Sequence, residues 1–236
     1  MSSRIEEAIA SGRENLPAWW ESVSEEFRNQ CRYIAVPNWE MGSDVSDLSE
    51  AYKSRFDEEV VEKRIPKNNL QRADICTEFM LSSNAVMDIG SGLGEFVNLL
   101  SKKNKTASIV SVDVKDYALW FAGSDRIERV YKSIFDLTAA HECEVVTCFE
   151  VIEHLPADRL IEAIGILRSL AKKKLYISVP FMEPIPIYKG HFSRFEGEDI
   201  KSLFPEGKYT ILGKGGKQKD KVLAWIIVEI DMDGGG

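Results

Sequence analysis

The sequence has few cysteines and no long apolar run, and both shortages narrow the class of protein. Its four cysteines form no CxxC pair and no ladder of metal ligands, so we expect reduced, mostly buried thiols, as is typical of cytoplasmic proteins. No apolar stretch approaches the roughly 18 to 20 residues that span a bilayer. The polar start MSSRIEEAIASGRE also lacks the core of a signal peptide. We therefore expect a cytoplasmic protein that is neither secreted nor embedded in a membrane.

Net positive charge is lacking as well. The chain has 30 basic and 38 acidic residues, a formal net charge of −8, which argues against a continuous basic face that binds nucleic acid. Apolar residues, in contrast, make up 44% of the 236 residues. That fraction is too high for a disordered chain, and the length is sufficient for a sizeable core without disulfides or a structural metal.

The composition of the chain changes near residue 82. Residues 1–82 are predicted to form a helical N-terminal extension, and residues 83–233 a unit in which short β-branched runs alternate with helices. The helices predicted in the extension cover 17–31, 48–61 and 69–81, with a loop between the first two.

The second part is predicted to be a doubly wound α/β domain. Most of its apolar runs show no alternation, as expected for parallel strands buried on both faces, and strand alternates with helix. The last two strands are expected to pair as a hairpin, which gives a Rossmann-like, mostly parallel, seven-stranded sheet. The predicted strands are 85–89, 107–113, 128–132, 144–149, 174–180, 208–214 and 221–230, and the predicted helices are 95–101, 115–121 and 157–170.

A glycine-rich turn follows the first of these strands and precedes a helix. Its glycines, Gly90, Gly92 and Gly94, let the backbone approach a ligand closely and free the helix N-terminus to face it. A dinucleotide-binding GxGxxG fingerprint would need glycine at position 95, where the chain has Glu95, and this carboxylate would oppose a pyrophosphate. The observed spacing is GxGxG, with Asp88 two residues before the first glycine.

This loop resembles the first motif of the class I S-adenosylmethionine (SAM) dependent methyltransferases. Three later segments resemble further motifs of that family in the same order: Asp113 with Val114, then Asp136, then the segment 148–155, which is similar to the type 11 and 12 branches. The resemblance implies that Asp113 holds the ribose hydroxyls of SAM and Asp136 the edge of its adenine. SAM carries a sulfonium cation and no phosphate, which suits a loop surrounded by acidic residues. The implied cofactor site comprises Asp88, Gly90, Gly92, Gly94, Asp113, Val114, Asp136 and Phe149.

The chain has only three histidines, and two of them are candidates for chemistry. His154 and His191 follow the fourth and fifth predicted strands and are expected at the edge of the sheet where doubly wound folds bind ligands. His141 precedes its strand and is expected to be structural. Glu150, Glu153 and His154 occupy positions i, i+3 and i+4, so a helical turn would place all three side chains on one face.

The ExxEH segment with a later histidine resembles a pattern of the ubiquinone-pathway O-methyltransferases and the small-RNA 2′-O-methyltransferases, which use it for a metal. The resemblance implies a divalent ion, Mg²⁺, Mn²⁺ or Zn²⁺, held by Glu150, Glu153, His154 and His191. Two other interpretations stay open. His154 or His191 is a general base, or Glu150 contacts the cofactor while His154 only packs. The small-RNA enzymes also carry further histidines near the last ligand, and this chain does not.

We therefore expect a SAM-dependent methyltransferase that transfers a methyl group to a hydroxyl, or an amine, of a small-molecule acceptor. The catalytic candidates are His154, His191 and Glu150. The alternatives are a metal-dependent RNA 2′-O-methyltransferase and a non-catalytic SAM-binding scaffold protein. Residues 1–82 and 181–194 are expected to cover the acceptor. Aromatic residues of the extension either line this lid or pack in the core: Trp19, Trp20, Tyr33, Trp39 and Tyr52.

Overall fold

The computed structural model describes residues 5–7, 9–10, 16–35, 67–115, 125–213 and 224–232. Eight strands of these residues form one sheet in the order β1-β7-β8-β6-β5-β2-β3-β4. The strands are β1 (Cys31–Ala35), β2 (Ala85–Ile89), β3 (Ser108–Asp113), β4 (Ile127–Tyr131), β5 (Cys143–Phe149), β6 (Ala171–Pro180), β7 (Lys208–Gly213) and β8 (Ala224–Asp231).

The strand directions follow the predicted pattern. All neighbouring strands are parallel except β8, which runs antiparallel to both β6 and β7. The doubly wound, mostly parallel sheet and its terminal hairpin are therefore confirmed. The sheet has eight strands in place of the expected seven, because the N-terminal extension supplies β1, which pairs with β7.

Helices cover both faces of this sheet, as a doubly wound fold requires. Phe27, Leu167 and Phe204 are buried on one face, whereas Leu70 and Leu99 are buried on the other. No helix of the described residues is both long and apolar enough to cross a bilayer. The α-helices are α1 (Glu25–Arg28), α2 (Lys67–Phe79), α3 (Glu95–Lys103), α4 (Leu160–Leu170) and α5 (Gly197–Leu203).

The helix predicted over 17–31 is wrong. The structure divides this stretch into a 3-10 helix at Ala18–Ser22, the single turn α1 and strand β1. The backbone is extended at Val23 and again at Ser24, whose hydroxyl accepts a hydrogen bond from the first turn of α1. A helix cannot continue through these two residues, and the following apolar residues are buried in the sheet instead. The predicted loop at 36–47 and the helix at 48–61 lie outside the described residues, and the boundary at residue 82 stays a prediction.

The aromatic residues of the extension that the structure describes pack in the core. Trp20 and Tyr33 are 7% and 3% exposed, and their rings meet edge to face with centroids 5.1 Å apart. Trp19 is half-buried and packs against both rings. These three side chains hold β1 on the sheet, which favours the core interpretation over the lid. Trp39 and Tyr52 lie outside the described residues.

All four cysteines are free thiols, as expected. Three are buried and Cys31 is half-buried. Burial raises the pKa of Cys31 to about 12, so it is a poor nucleophile at neutral pH. The cysteines therefore contribute packing rather than chemistry.

Candidate active site

The glycine loop joins the carboxyl end of β2 to α3. Gly90 has φ of +75°, and a Cβ atom there would lie 2.1 Å from Cγ2 of Val151, so both backbone conformation and space require glycine. Gly94 is the left-handed N-cap of α3. The amide of Gly90 donates to the carbonyl of Val112 at 2.8 Å, which fixes the loop against β3. The sequence predicted this strand, turn and helix correctly.

Asp113 ends β3 and holds the other side of the loop. Its Oδ2 accepts a hydrogen bond from the amide of Gly92 at 2.9 Å, and its Oδ1 accepts one from the amide of Lys115 at 2.9 Å. The carboxylate is therefore fixed beside the glycine loop by two backbone amides. Val114, the next residue, is 68% exposed, which is unusual for valine and provides an apolar surface next to the carboxylate.

Two cavities meet at the glycine loop. The larger, of about 540 Å³, is lined by Asp113, Val114, Ile134 and His154 among others. The smaller, of about 270 Å³, lies toward α2 and β8 and is lined by residues that include Arg72, Asp88, Phe149 and Trp225. Gly90, Gly92 and Glu150 line both cavities, so the two spaces adjoin at the glycine loop.

Two predicted cofactor residues lie beside this site rather than on its walls. Gly94 caps α3 behind the loop. Asp136 is exposed at the end of a 3-10 helix, Ile134–Asp136, whose first residue lines the larger cavity. The role of Asp136 at an adenine edge stays a prediction.

Two acidic residues in the wall of the smaller cavity bind protons near neutral pH. Burial raises the pKa of Asp88 to about 7, against the effect of the Thr147 hydroxyl, which donates to Oδ1 at 2.6 Å. Burial likewise raises the pKa of Glu95 to about 7. A cation bound in this cavity would favour the charged form of both groups.

Glu150 occupies the junction of the two cavities in a strained conformation. Its φ is +59°, a region that non-glycine residues rarely adopt and that recurs at functional sites. Its Oε2 lies 2.8 Å from Nη1 of Arg72, and its Oε1 accepts a hydrogen bond from Ser178 at 2.9 Å. The guanidinium of Arg72 lies over the ring of Trp225, 4.3 Å from the centroid.

Glu153, His154 and His191 form a cluster beside the larger cavity. One carboxylate oxygen of Glu153 and one nitrogen of each imidazole lie within 4.8 Å of one another. Glu153 is 1% exposed, and neither of its oxygens has a hydrogen-bond partner among the described residues. Burial, and then repulsion from Glu150, raises the pKa of Glu153 to about 9. A charged carboxylate without a partner is costly to bury, so Glu153 holds a proton at neutral pH unless a bound cation replaces it.

In both histidines of the cluster, Nδ1 forms a hydrogen bond with an oxygen atom. Nδ1 of His154 lies 2.9 Å from the carbonyl oxygen of Gly190, which can only accept, so Nδ1 carries the proton. Nδ1 of His191 lies 2.7 Å from Oε2 of Glu183. When such a ring is uncharged and its proton is on Nδ1, its lone pair is on Nε2.

The structure thus brings together three of the four predicted metal ligands. Glu150 is turned toward Arg72 and lies outside the cluster. The positive φ at Glu150 changes the chain direction before the helical turn begins, and that turn is the 3-10 helix Ile152–His154. His141 has the structural role expected of it, since its Nδ1 accepts from the amide of Thr138 at 3.1 Å.

Sequence reasoning missed two residues of the site, Arg72 and Glu183. Arg72 lies on α2 in the extension, and nothing in its spacing connects it to Glu150, which is 78 positions later. Glu183 stands eight residues before His191 in the loop after β6. An acidic residue in the same loop as a candidate histidine was the only available signal, and such pairs are common by chance.

A mostly parallel Rossmann-like sheet, a GxGxG loop after its first central strand and an acidic residue at the end of the next define the class I methyltransferases. Residues 62–207, more than half of the chain, match the sequence model of a family described as a methyltransferase domain. The chain belongs to the class I SAM-dependent methyltransferase family.

Solved structures show the same fold. Magnesium protoporphyrin IX methyltransferase from Synechocystis, with bound S-adenosylhomocysteine, is 17% identical, with a TM-score of 0.56 over 80% of this chain and 94% of that one. The 1,6-didemethyltoxoflavin N1-methyltransferase of Burkholderia thailandensis is 12% identical, with a TM-score of 0.55 over 81% and 91%. The small RNA methyltransferase HEN1 is 20% identical, with a TM-score of 0.56 over 67% of this chain and 24% of that one. No curated protein matches the sequence.

Proposed function

We propose that this protein transfers the methyl group of SAM to a hydroxyl group of a small-molecule acceptor. One observation carries the proposal: two adjoining cavities meet at the glycine loop, and His154, on the wall of the larger one, belongs to the Glu153, His154 and His191 cluster. The first part of the site has the features that SAM requires, and the second supplies groups that activate an acceptor oxygen.

The adenosine of SAM fits the larger cavity. Asp113 is fixed beside the glycine loop by two backbone amides, so its carboxylate is preorganised to accept hydrogen bonds from the two ribose hydroxyls. Val114 and Ile134 provide apolar surface in the same cavity. The adenosine half of SAM is uncharged and needs no basic residue.

The amino acid portion of SAM fits the smaller cavity, whose charges complement it. Arg72 offers a guanidinium to the carboxylate, and Asp88 offers a carboxylate to the ammonium. The sulfonium between these two halves would lie near Glu150, which lines both cavities. Cation and carboxylate attract strongly in such a partly buried site.

Methyl transfer is an in-line displacement. The acceptor oxygen attacks the methyl carbon, the bond between carbon and sulfur breaks, S-adenosylhomocysteine leaves, and the hydroxyl proton passes to a base. SAM already has a good leaving group, so the protein mainly supplies alignment and a dry site. Nε2 of His154 or of His191 is the base that these residues offer.

The cluster also fits a divalent metal ion. A buried carboxylate without a hydrogen-bond partner among the described residues and two imidazoles, each with one nitrogen directed to the cluster, form a donor set that Zn²⁺ or Mn²⁺ accepts. Glu153, His154 and His191 would hold the ion, and Glu150 would join them only by leaving Arg72. When bound, such an ion lowers the pKa of an acceptor hydroxyl and so favours the nucleophilic oxyanion.

An apolar rim beside the cluster favours an acceptor with an aromatic or aliphatic portion. Ile185, Tyr188 and Phe192 are 82%, 67% and 64% exposed, and the ring of Tyr188 lies 5.3 Å from that of His191. Three exposed apolar side chains within eight residues of this loop offer apolar surface to an acceptor. The names of the porphyrin and toxoflavin relatives also describe flat small-molecule acceptors.

The proposal is tested by incubating the purified protein with methyl-labelled SAM and a panel of small hydroxylated aromatic acceptors, with structured RNA as a further arm. We expect labelled product and an equal amount of S-adenosylhomocysteine from a small acceptor. Labelled RNA would assign the acceptor to nucleic acid instead. SAM binding without S-adenosylhomocysteine from any acceptor would indicate a non-catalytic SAM-binding protein and contradict the proposal.

A further inference from the structure

The loop after β6 is closed on itself and lies over the candidate metal cluster. Phe181 and Phe195 form a β-bridge at its ends, and the amide of Met182 donates to the carbonyl of Phe195 at 2.9 Å. We call residues 182–194 the strap. Its ends are fixed to the sheet, so its interior contacts determine how it presents His191.

Glu183 organises the interior of the strap. This carboxylate is 3% exposed, and its Oε1 accepts a hydrogen bond from the amide of Tyr188 at 2.8 Å. Its Oε2 lies 2.7 Å from Nδ1 of His191, and its backbone carbonyl accepts from Nε of Arg194 at 2.6 Å. Each carboxylate oxygen therefore has a separate donor, and both donors belong to the strap.

The strap also fixes the other two members of the cluster. The carbonyl of Gly190 accepts from Nδ1 of His154 at 2.9 Å, and the amide of Phe192 donates to the backbone carbonyl of Glu153 at 2.7 Å. The imidazole rings of His154 and His191 meet edge to face with centroids 4.6 Å apart. Both rings are thus held through Nδ1, by a carbonyl in one case and by a carboxylate in the other.

We propose that Glu183 is a positioning residue that keeps the proton of His191 on Nδ1 and thereby leaves the Nε2 lone pair available to the cluster. A hydrogen bond from the second ring nitrogen to a carboxylate fixes tautomer and orientation and makes the ligating nitrogen more basic. The inference rests on the proposed function of the cluster, but it makes a statement about His191 that holds without any ion.

The test compares Glu183→Gln with wild type in the metal-free protein and with Mn²⁺. Glutamine has one oxygen and one NH2 group in place of the two carboxylate oxygens, so it cannot offer a separate acceptor to each of Tyr188 and His191. Glu198→Gln removes the same charge at an exposed position outside the strap and is the matched control. Nitrogen-15 NMR of the imidazoles reports which ring nitrogen carries the proton, and the His141→Asn and His154→Asn variants assign the His191 signals.

We expect wild type and Glu198→Gln to show His191 protonated on Nδ1, and Glu183→Gln to show a mixture of tautomers or the other one. We expect the affinity for Mn²⁺, measured by electron paramagnetic resonance, to fall about 10- to 100-fold in Glu183→Gln, while binding of S-adenosylhomocysteine changes less than about twofold. An unchanged tautomer in Glu183→Gln would overturn the inference.

Two further outcomes distinguish a positioning role of Glu183 from a purely structural one, and the failure of this role from the failure of the proposed metal site. If Glu183→Gln loses S-adenosylhomocysteine binding and thermal stability together, Glu183 only maintains the strap and the inference is overturned. If wild type binds no Mn²⁺ but the tautomer changes in Glu183→Gln, the metal part of the proposed function fails and the positioning role of Glu183 is supported.

Discussion

Arg72 and Glu150 form an ion pair, with Nη1 and Oε2 2.8 Å apart, that connects the N-terminal extension to the centre of the site. Arg72 lies on α2, and Glu150 directly follows β5. Both side chains are largely buried. The pair therefore places a cation from the extension beside the strained residue at which the two cavities meet.

This placement predicts that Arg72 recognises the amino acid portion of the cofactor. Arg72→Met should weaken the binding of S-adenosylhomocysteine about tenfold or more, because a charged hydrogen bond contributes about 1.5 to 3 kcal/mol. The affinity for 5′-methylthioadenosine, which lacks the amino acid carboxylate, should change less than about twofold. Isothermal titration calorimetry with both ligands checks this, with Arg28→Met at a surface ion pair as control. An equal loss for both ligands would show that Arg72 only maintains the fold.

The raised pKa of Asp88 predicts a stability that depends on pH. The unfolded chain releases this proton near the ordinary value of 3.8, whereas the folded protein retains it up to about pH 7. The carboxyl group therefore lowers the free energy of unfolding as pH rises between these values. Asp88→Asn retains an oxygen for the Thr147 hydroxyl and removes the titration.

We expect Asp88→Asn to be more stable than wild type, and its advantage to grow by about 2 kcal/mol between pH 5.5 and 8.5. Urea unfolding at the two pH values measures the change. Asp125→Asn at an exposed position should show no such growth. If the difference between Asp88→Asn and wild type is the same at both values, the carboxylate does not destabilise the fold as described.

The two glycines that line both cavities differ in what an added Cβ atom would meet. A Cβ atom at Gly90 would lie 2.1 Å from Cγ2 of Val151, whereas one at Gly92 would meet nothing within 4 Å. Both have positive φ, so Gly92→Ala should cost about 1 to 2 kcal/mol for backbone strain alone. Gly90→Ala should cost about 1 to 3 kcal/mol more because of the clash.

A double variant separates these two causes. In Gly90→Ala, the new Cβ atom would clash with Cγ2 of Val151, and Val151→Ala removes that methyl group. The double variant should therefore regain the stability that the clash costs. Chemical denaturation of the single and double variants gives the coupling energy. A coupling near zero would mean that the loop moves away freely and that its close approach to Val151 is unimportant.

The sheet was predictable from the sequence because its parallel strands are short, continuous apolar runs separated by long helical patterns. Strand β1 was not, since Trp20, Val23 and Phe27 have helical spacing over a stretch too short to distinguish helix from strand. The extended backbone at Val23 and Ser24 and the pairing of β1 with β7 determine the outcome, and the second of these is a tertiary contact that no local pattern encodes.

The site was predictable wherever its residues belong to one motif. The glycine loop, Asp113 and the ExxEH segment each lie at the end of a predicted strand, so the common edge of the sheet brings them together. Arg72 and Glu183 act through contacts between distant segments or within an irregular loop. Glu150 has the spacing of a metal ligand, and only its positive φ and its pairing with Arg72 show that it faces elsewhere.

The cofactor site beside Asp113 is tested most directly by calorimetric binding of S-adenosylhomocysteine to wild type, Asp113→Ala and the exposed control Asp125→Ala. We expect micromolar binding to wild type and to the control, and a loss of about 10- to 100-fold in Asp113→Ala, because the ribose loses a charged hydrogen-bond acceptor. No binding to wild type, or equal binding to all three, would contradict this expectation.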